Sequence, residues 1–155
     1  MWIPPEEKEP VLYHEPTRDK VGYFAAVRLR DGKFVYRRET GMFNAESFWD
    51  FLKQLRQASS RSGRKVVIVL DNVRYHHGTL HKEWREDCQK SFRLEFLPPY
   101  SPELNSIERV WKTTRRLCIH NQYFESLDQV IAAVEEQFDL WTKPNETLRK
   151  LCAIS

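Results

Sequence analysis

In Val66-Val-Ile-Val-Leu-Asp-Asn72, five apolar residues, all but Leu70 β-branched, are followed at once by an aspartate, Asp71. Lys65 to Leu70 has the continuous pattern of a central strand covered on both faces by helices. Asp71 then falls at the strand's C-terminal end, where open α/β sheets place their functional groups. Downstream, Leu97-Pro-Pro-Tyr-Ser-Pro-Glu-Leu-Asn-Ser-Ile-Glu-Arg-Val-Trp-Lys112 stops one element and starts a helix with Glu108 just inside it. Two acids so positioned would suit a shared divalent metal and the cutting of phosphodiesters.

Reading outward from the strand, a helix is expected from about Thr79 to Lys90, followed by a short strand, Arg93 to Leu97, stopped by Pro98-Pro99. Upstream, Asn44 is a plausible N-cap for a helix with Phe48, Phe51, Leu52 and Leu55 at helical spacing, ended by Ser59-Ser-Arg-Ser-Gly63. Val21 to Arg30 and Lys33 to Glu39 form a β-hairpin pattern across Asp31-Gly32, because glycine accepts the positive φ of a tight turn. Downstream of Glu108, Ile107, Val110, Trp111, Leu117 and Cys118 mark one helix face. Leu127 to Leu140 is a last amphipathic helix presenting Val130, Ile131, Val134 and Phe138, with Ser126 or Asp128 near its start. Helices alternating with strands after an antiparallel pair predict a mixed sheet flanked by helices, an α/β layer arrangement. Residues 1–20, with four prolines and no periodicity, read as an extended arm, 21–145 as the folded body and 146–155 as a C-terminal tail.

At 155 residues the chain is expected to form one domain, and 41% hydrophobic with 13% aromatic content marks it as globular. The net charge of +3 says less than where the charge lies. Arg61 to Arg93 holds eight basic residues against four acids, whereas the first twenty residues lean acidic. Cys88, Cys118 and Cys152 are odd in number and lack metal-type spacing, which argues against a disulfide framework or a zinc knuckle. No signal peptide or membrane-spanning run is seen, so a cytoplasmic setting is expected, with no membrane partner.

Each acid taken alone has a plainer reading. Asp71 would simply cap the Asn72-Val-Arg loop, and Glu108 would sit on a solvated helix face paired with Lys112 one turn on. If Ile107 faces the core, Glu108 points about 100° round the helix, with Lys112 and Arg115 on its face and Arg116 beside them. Arg61, Arg64, Lys65, Arg74 and Arg109 join these three as candidates for a basic rim that holds phosphates without reading sequence, with ordinary solubilising charge as the plainer reading for some of them. His77 and His81 read as surface residues.

Leu70-Asp-Asn72 followed by His76, then Leu-Pro-Pro-Tyr-Ser-Pro-Glu-Leu-Asn and Ile-Glu-Arg-Val-Trp, resembles the catalytic core of mariner-type insertion-sequence transposases, in the DDE endonuclease superfamily. The resemblance implies a ribonuclease H-like fold in which Asp71 and Glu108, with 36 residues between them, are the second and third acids of a catalytic triad. It implies a two-metal site for Mg²⁺, or Mn²⁺, that supports strand cleavage and strand transfer, with the element's ends and target DNA as partners. Asn72, His76, Tyr100 and Asn105 belong to the motif near that site. Magnesium takes oxygen ligands and keeps several waters, so a few carboxylates suffice.

The chain departs from the family pattern at its start. The resemblance implies a first catalytic aspartate, on a strand before a tryptophan that Trp2 matches, and a helix-turn-helix region that recognises element ends; both are expected to be absent from this sequence. The metal site is therefore expected to be weakened. An upstream transposase fragment, or a second copy at the exposed sheet edge, is an expected partner. The alternative is a non-catalytic remnant that keeps the fold and some DNA affinity. Ser106 stands where the family has proline, at a position where it would serve as a cap.

Overall fold

The computed structural model describes residues 11–14, 19–59, 63–72, 74–99, 101 and 104–153. The chain divides into two compact units: the described residues up to Thr40 together with those from Ser106 onward form the first, and Gly41 to Asn105 the second.

The first unit opens with three antiparallel strands, β1 (Val11–His14), β2 (Asp19–Val27) and β3 (Phe34–Glu39), in the order β1-β2-β3. The region read as an arm thus contains a strand, which pairs from Val11↔Gly22 to His14↔Asp19. Strand β2 continues against β3 from Gly22↔Glu39 to Val27↔Phe34. The predicted hairpin is present, but its turn is longer than Asp31-Gly32 alone, since Arg28 N–H donates to the Lys33 carbonyl and Gly32 N–H to that of Arg28. Arg28 and Asp31 form an ion pair inside this loop. That local pairing stabilises a wider turn than a two-residue one.

Among the described residues the unit also contains the α-helices α3 (Ile107–Thr114), α4 (Leu127–Trp141) and α5 (Glu146–Leu151). Helix α4 begins where expected, with Ser126 accepting from Gln129 N–H, and buries Val130, Val134, Phe138 and Trp141. Phe138 is the centre of the core, its ring 5.1 Å from Tyr23, 5.0 Å from Phe34 and 5.1 Å from Tyr36. Tyr23 is fully buried and its hydroxyl donates to Glu135 at 2.8 Å, while Arg38 grips the same carboxylate. The polar end of a buried ring is thereby satisfied.

The stretch read as a C-terminal tail contains α5. Asn145 accepts from Leu148 N–H as its N-cap, and its Nδ2 donates to the Gly32 carbonyl at 2.9 Å. Gly32, at φ 76°, has no room for a Cβ, which would lie 2.2 Å from the Asn145 carbonyl oxygen. Leu148 and Cys152 are fully buried, so the tail is part of the core. Its short length hid this, because two buried positions in one turn make no periodicity.

The second unit contains α1 (Ala45–Ser59), β4 (Val66–Leu70), two 3₁₀ turns (Arg74–His77 and Thr79–His81), α2 (Lys82–Cys88) and β5 (Phe92–Phe96). Helix α1 follows the prediction: Asn44 Oδ1 accepts from Ser47 N–H at 2.9 Å, Ser47 Oγ accepts from Asn44 N–H at 3.0 Å, and Phe48, Phe51, Leu52 and Leu55 are buried. This reciprocal pair is a capping box. Strands β4 and β5 are parallel, from Val66↔Phe92 to Leu70↔Phe96. Instead of one mixed sheet, the described residues form a three-stranded antiparallel sheet and a two-stranded parallel one. Val67 and Val69 are 44% and 50% exposed, so only one face of β4 is covered among the described residues. A continuous apolar run cannot distinguish that from burial on both faces.

Candidate functional site

Asp71 leaves the end of β4 immediately after Leu70, which is buried at 3% exposure. The Leu70 carbonyl accepts from Leu97 N–H at 2.8 Å, which carries the parallel ladder one step past the paired strands. The Asp71 side chain is 15% exposed, and burial pushes its carboxyl above the ordinary 3.8. His76 Nδ1 lies 2.9 Å from the Asp71 carbonyl oxygen and 3.3 Å from Oδ1. A carbonyl only accepts, so Nδ1 carries the hydrogen and donates it there. Burial pushes the His76 imidazole down to about 3, so at neutral pH this contact is not an ion pair. Oδ1 is left buried without a hydrogen bond among the described residues. A desolvated carboxylate oxygen in that state suits a cation.

Asn72 is exposed and its Oδ1 accepts from His77 Nε2. His77 stacks on Phe96 with centroids 3.8 Å apart, so this exposed histidine is held in place. His81, expected at the surface, is fully buried: its ring lies 5.5 Å from Phe48, and Arg85 Nε donates to its Nδ1 at 2.9 Å. The 3₁₀ turn before α2 directs His81 inward, which helical periodicity from Thr79 does not anticipate. Asn105 is buried at 6% exposure. Tyr100 and the Arg74 side chain lie outside the described residues, although the Arg74 backbone opens the first 3₁₀ turn.

In the first unit, Glu108 occupies the first turn of α3, where the helix N-terminus favours a carboxylate. Its neighbours Ile107, Val110 and Trp111 are buried as predicted. The Glu108 side chain is 17% exposed, and Lys112 Nζ, on a side chain 74% exposed, lies 3.6 Å from Oε1. With the lysine end solvated and the contact at 3.6 Å, such a pair contributes little stability, on the order of 0–1 kcal/mol. Ser106 makes no cap through its side chain, whose hydroxyl instead donates to the Cys152 carbonyl at 3.4 Å.

Arg116 is exposed and Arg115 half-buried, both in a wide π-turn, Arg115–Ile119, that continues α3. The wide turn carries Leu117 out of the apolar stripe to 44% exposure, whereas Cys118 stays buried. Arg109 is exposed, and its Nη1 donates to the carbonyls of Leu151 at 3.2 Å and Ala153 at 3.3 Å, at the end of α5. Cys88, Cys118 and Cys152 are free and buried. Among the described residues there is no group of three or more His, Cys, Asp or Glu side chains placed to hold a metal, and no helix long and apolar enough to cross a membrane.

An uncharacterized 39 kDa protein of insertion element IS630 from Shigella sonnei is 29% identical over 87 residues, covering 56% of this chain and 25% of that protein. The uncharacterized protein y4pE/y4sA of Sinorhizobium fredii (strain NBRC 101917 / NGR234) is 33% identical over 69 residues, covering 44% of this chain and 47% of that protein. The chain therefore matches less than half the length of either relative. The catalytic domain of Mos1 mariner transposase superposes with a TM-score of 0.71 at 16% identity, over 94% of this chain and 72% of that one. The same catalytic domain solved with Raltegravir and Mg gives 0.71 at 18% identity, over 94% and 74%. The Mos1 strand transfer complex gives 0.66 at 17% identity, over 98% and 44%. These likenesses show the fold, which is the expected ribonuclease H-like α/β arrangement of sheets flanked by helices. The family model for DDE superfamily endonucleases matches residues 1–131, and the chain belongs to that family.

Proposed function

We propose that this chain is the DNA-cleaving and strand-transferring catalytic domain of an insertion-sequence transposase, with Asp71 and Glu108 as ligands for Mg²⁺ or Mn²⁺. The observation that carries the reading is the state of Asp71: a mostly buried carboxylate whose Oδ1 has no hydrogen bond among the described residues, at the C-terminal end of a strand. Glu108, in the first turn of α3, has the exposed Lys112 ammonium 3.6 Å from its Oε1. Both are oxygen donors, as a hard divalent cation requires. When bound, such ions polarise the phosphoryl oxygens and stabilise the attacking and leaving oxygens of an in-line displacement.

The protein's own contribution is positional. Strand β4 fixes Asp71, α3 fixes Glu108, and Lys112, Arg115 and Arg116 present positive charge beyond Glu108 to a phosphate backbone. Arg109, bonded to the end of α5, would exchange those carbonyls for a phosphate, and Arg74 is kept in the rim on sequence grounds alone. Asn72, His76, Tyr100 and Asn105 are assigned to the surroundings of the acids. The support for DNA as partner is the family together with the Mos1 strand transfer complex.

The triad of such enzymes needs a further aspartate, and none is assigned here. A second reading is that the chain is a non-catalytic form with DNA affinity. A plasmid-nicking assay in Mg²⁺ and Mn²⁺ separates them. If the further acid comes from an upstream fragment or partner, the 155-residue chain alone leaves supercoiled plasmid intact yet binds the metal. Robust nicking abolished by Asp71→Asn would overturn the need for that acid, and absence of both nicking and metal binding would favour the second reading.

A further inference from the structure

Asp71 is the last residue before the chain leaves β4, and an acid on a free loop would place its oxygens poorly. We propose that His76 is a positioning residue for Asp71, whose Nδ1–H holds the Asp71 main-chain carbonyl and thereby fixes the direction in which the carboxylate leaves the strand end. The proposal rests on Asp71 being a metal ligand.

The main chain of Asp71 is pinned on both sides. Before it, the Leu70 carbonyl accepts from Leu97 N–H at 2.8 Å, which ties that peptide to the end of β5. After it, the Asp71 carbonyl accepts from His76 Nδ1 at 2.9 Å across the start of the 3₁₀ turn. With both flanking peptides held, the carboxylate has only its own χ1 and χ2 to vary.

His76 is itself fixed. Its side chain is 1% exposed, and its ring packs on Phe48 at 4.4 Å between centroids, tilted by 37°. Phe48 lies in the first turn of α1, which the reciprocal Asn44 and Ser47 bonds anchor. A chain of contacts therefore runs from the α1 cap through Phe48 and His76 to the Asp71 carbonyl. The Nδ1 hydrogen is engaged there, so Oδ1, 3.3 Å away, stays without a hydrogen bond. A histidine that bonded the carboxylate instead would compete with a cation for the same oxygen. Partners that orient metal ligands in this way typically change metal affinity about 10- to 100-fold when removed.

The test is Mn²⁺ binding by the full chain, read from the electron paramagnetic resonance signal of free Mn²⁺, with circular dichroism melting as the check on folding. His76→Phe keeps a ring against Phe48 and loses the donor; His76→Asn restores an N–H at the δ position. The expected result is at least tenfold weaker binding for His76→Phe and recovery of most of that loss by His76→Asn. Unchanged binding in a folded His76→Phe, or binding by His76→Asn as weak as by His76→Phe, would overturn the proposal. If His76→Phe does not fold, His76→Gln replaces it, since it offers its donor one atom further out; binding equal to His76→Asn would then count against the proposal. Asp71→Asn separates the two levels. If that variant binds Mn²⁺ like the natural chain, the metal reading itself fails; if it loses binding while His76→Phe does not, only the positioning role fails.

Discussion

Replacing Asp71 by Asn is expected to stabilise the metal-free protein while removing its response to metal. Burial holds the Asp71 carboxyl above its ordinary 3.8, so the folded state binds a proton more readily there than the unfolded chain does. By linkage, the folded state has its full relative stability below 3.8 and loses some as pH rises through the raised folded value, after which the penalty is constant. At pH 7 the charged form therefore costs stability. The scale is that of a buried polar group lacking its hydrogen bond, about 1–3 kcal/mol. Because the side chain is 15% exposed, water offsets part of it, and about 1 kcal/mol is the working figure. For a chain of this size that is a rise in Tm of roughly 2–4 °C.

The assay is urea or thermal unfolding of both proteins in EDTA at neutral pH, repeated toward pH 4, where the difference should shrink. Adding Mn²⁺ to about 100 times its Kd should then stabilise the natural chain by about 2.7 kcal/mol and the variant by much less, reversing their order. A variant that is less stable in EDTA at neutral pH would refute the reasoning, because Asp71 would then be held by favourable contacts and not by a tolerated desolvation.

Two further outcomes follow from the packing and the charges. Phe138→Ala removes the ring at the centre of the aromatic core and should cost about 3–5 kcal/mol in urea unfolding; a loss below about 1 kcal/mol would mean the cluster collapses to fill the space. Lys112→Ala with Arg115→Ala should weaken duplex DNA binding and flatten its dependence on salt concentration, measured by fluorescence anisotropy. An unchanged salt slope would remove both residues from the basic rim.

The elements that set the acids were legible because their signals are local. A β-branched run ending in Asp71, an Asn44 cap followed by Phe48, Phe51, Leu52 and Leu55, and the Ile107, Val110, Trp111 stripe beside Glu108 each need no information from elsewhere in the chain. What was missed depends on partners distant in sequence. Helix α5 is short, and its burial depends on Asn145 reaching the carbonyl of Gly32. His81 is buried because Phe48 and Arg85 receive it. Strand β1 exists through its pairing with β2, and its four residues carry no period of their own. Likewise, the exposure of Val67 and Val69 is decided by what covers β4, and their β-branched chemistry is silent on that.

The most direct test of the central claim is the affinity of the 155-residue chain for Mn²⁺, compared with those of Asp71→Asn and Glu108→Gln under conditions where all three proteins unfold cooperatively. The account predicts measurable binding by the natural chain and a loss of tenfold or more, about 1.4 kcal/mol, in each variant. Equal affinity in all three proteins would contradict it, since neither acid would then hold the metal.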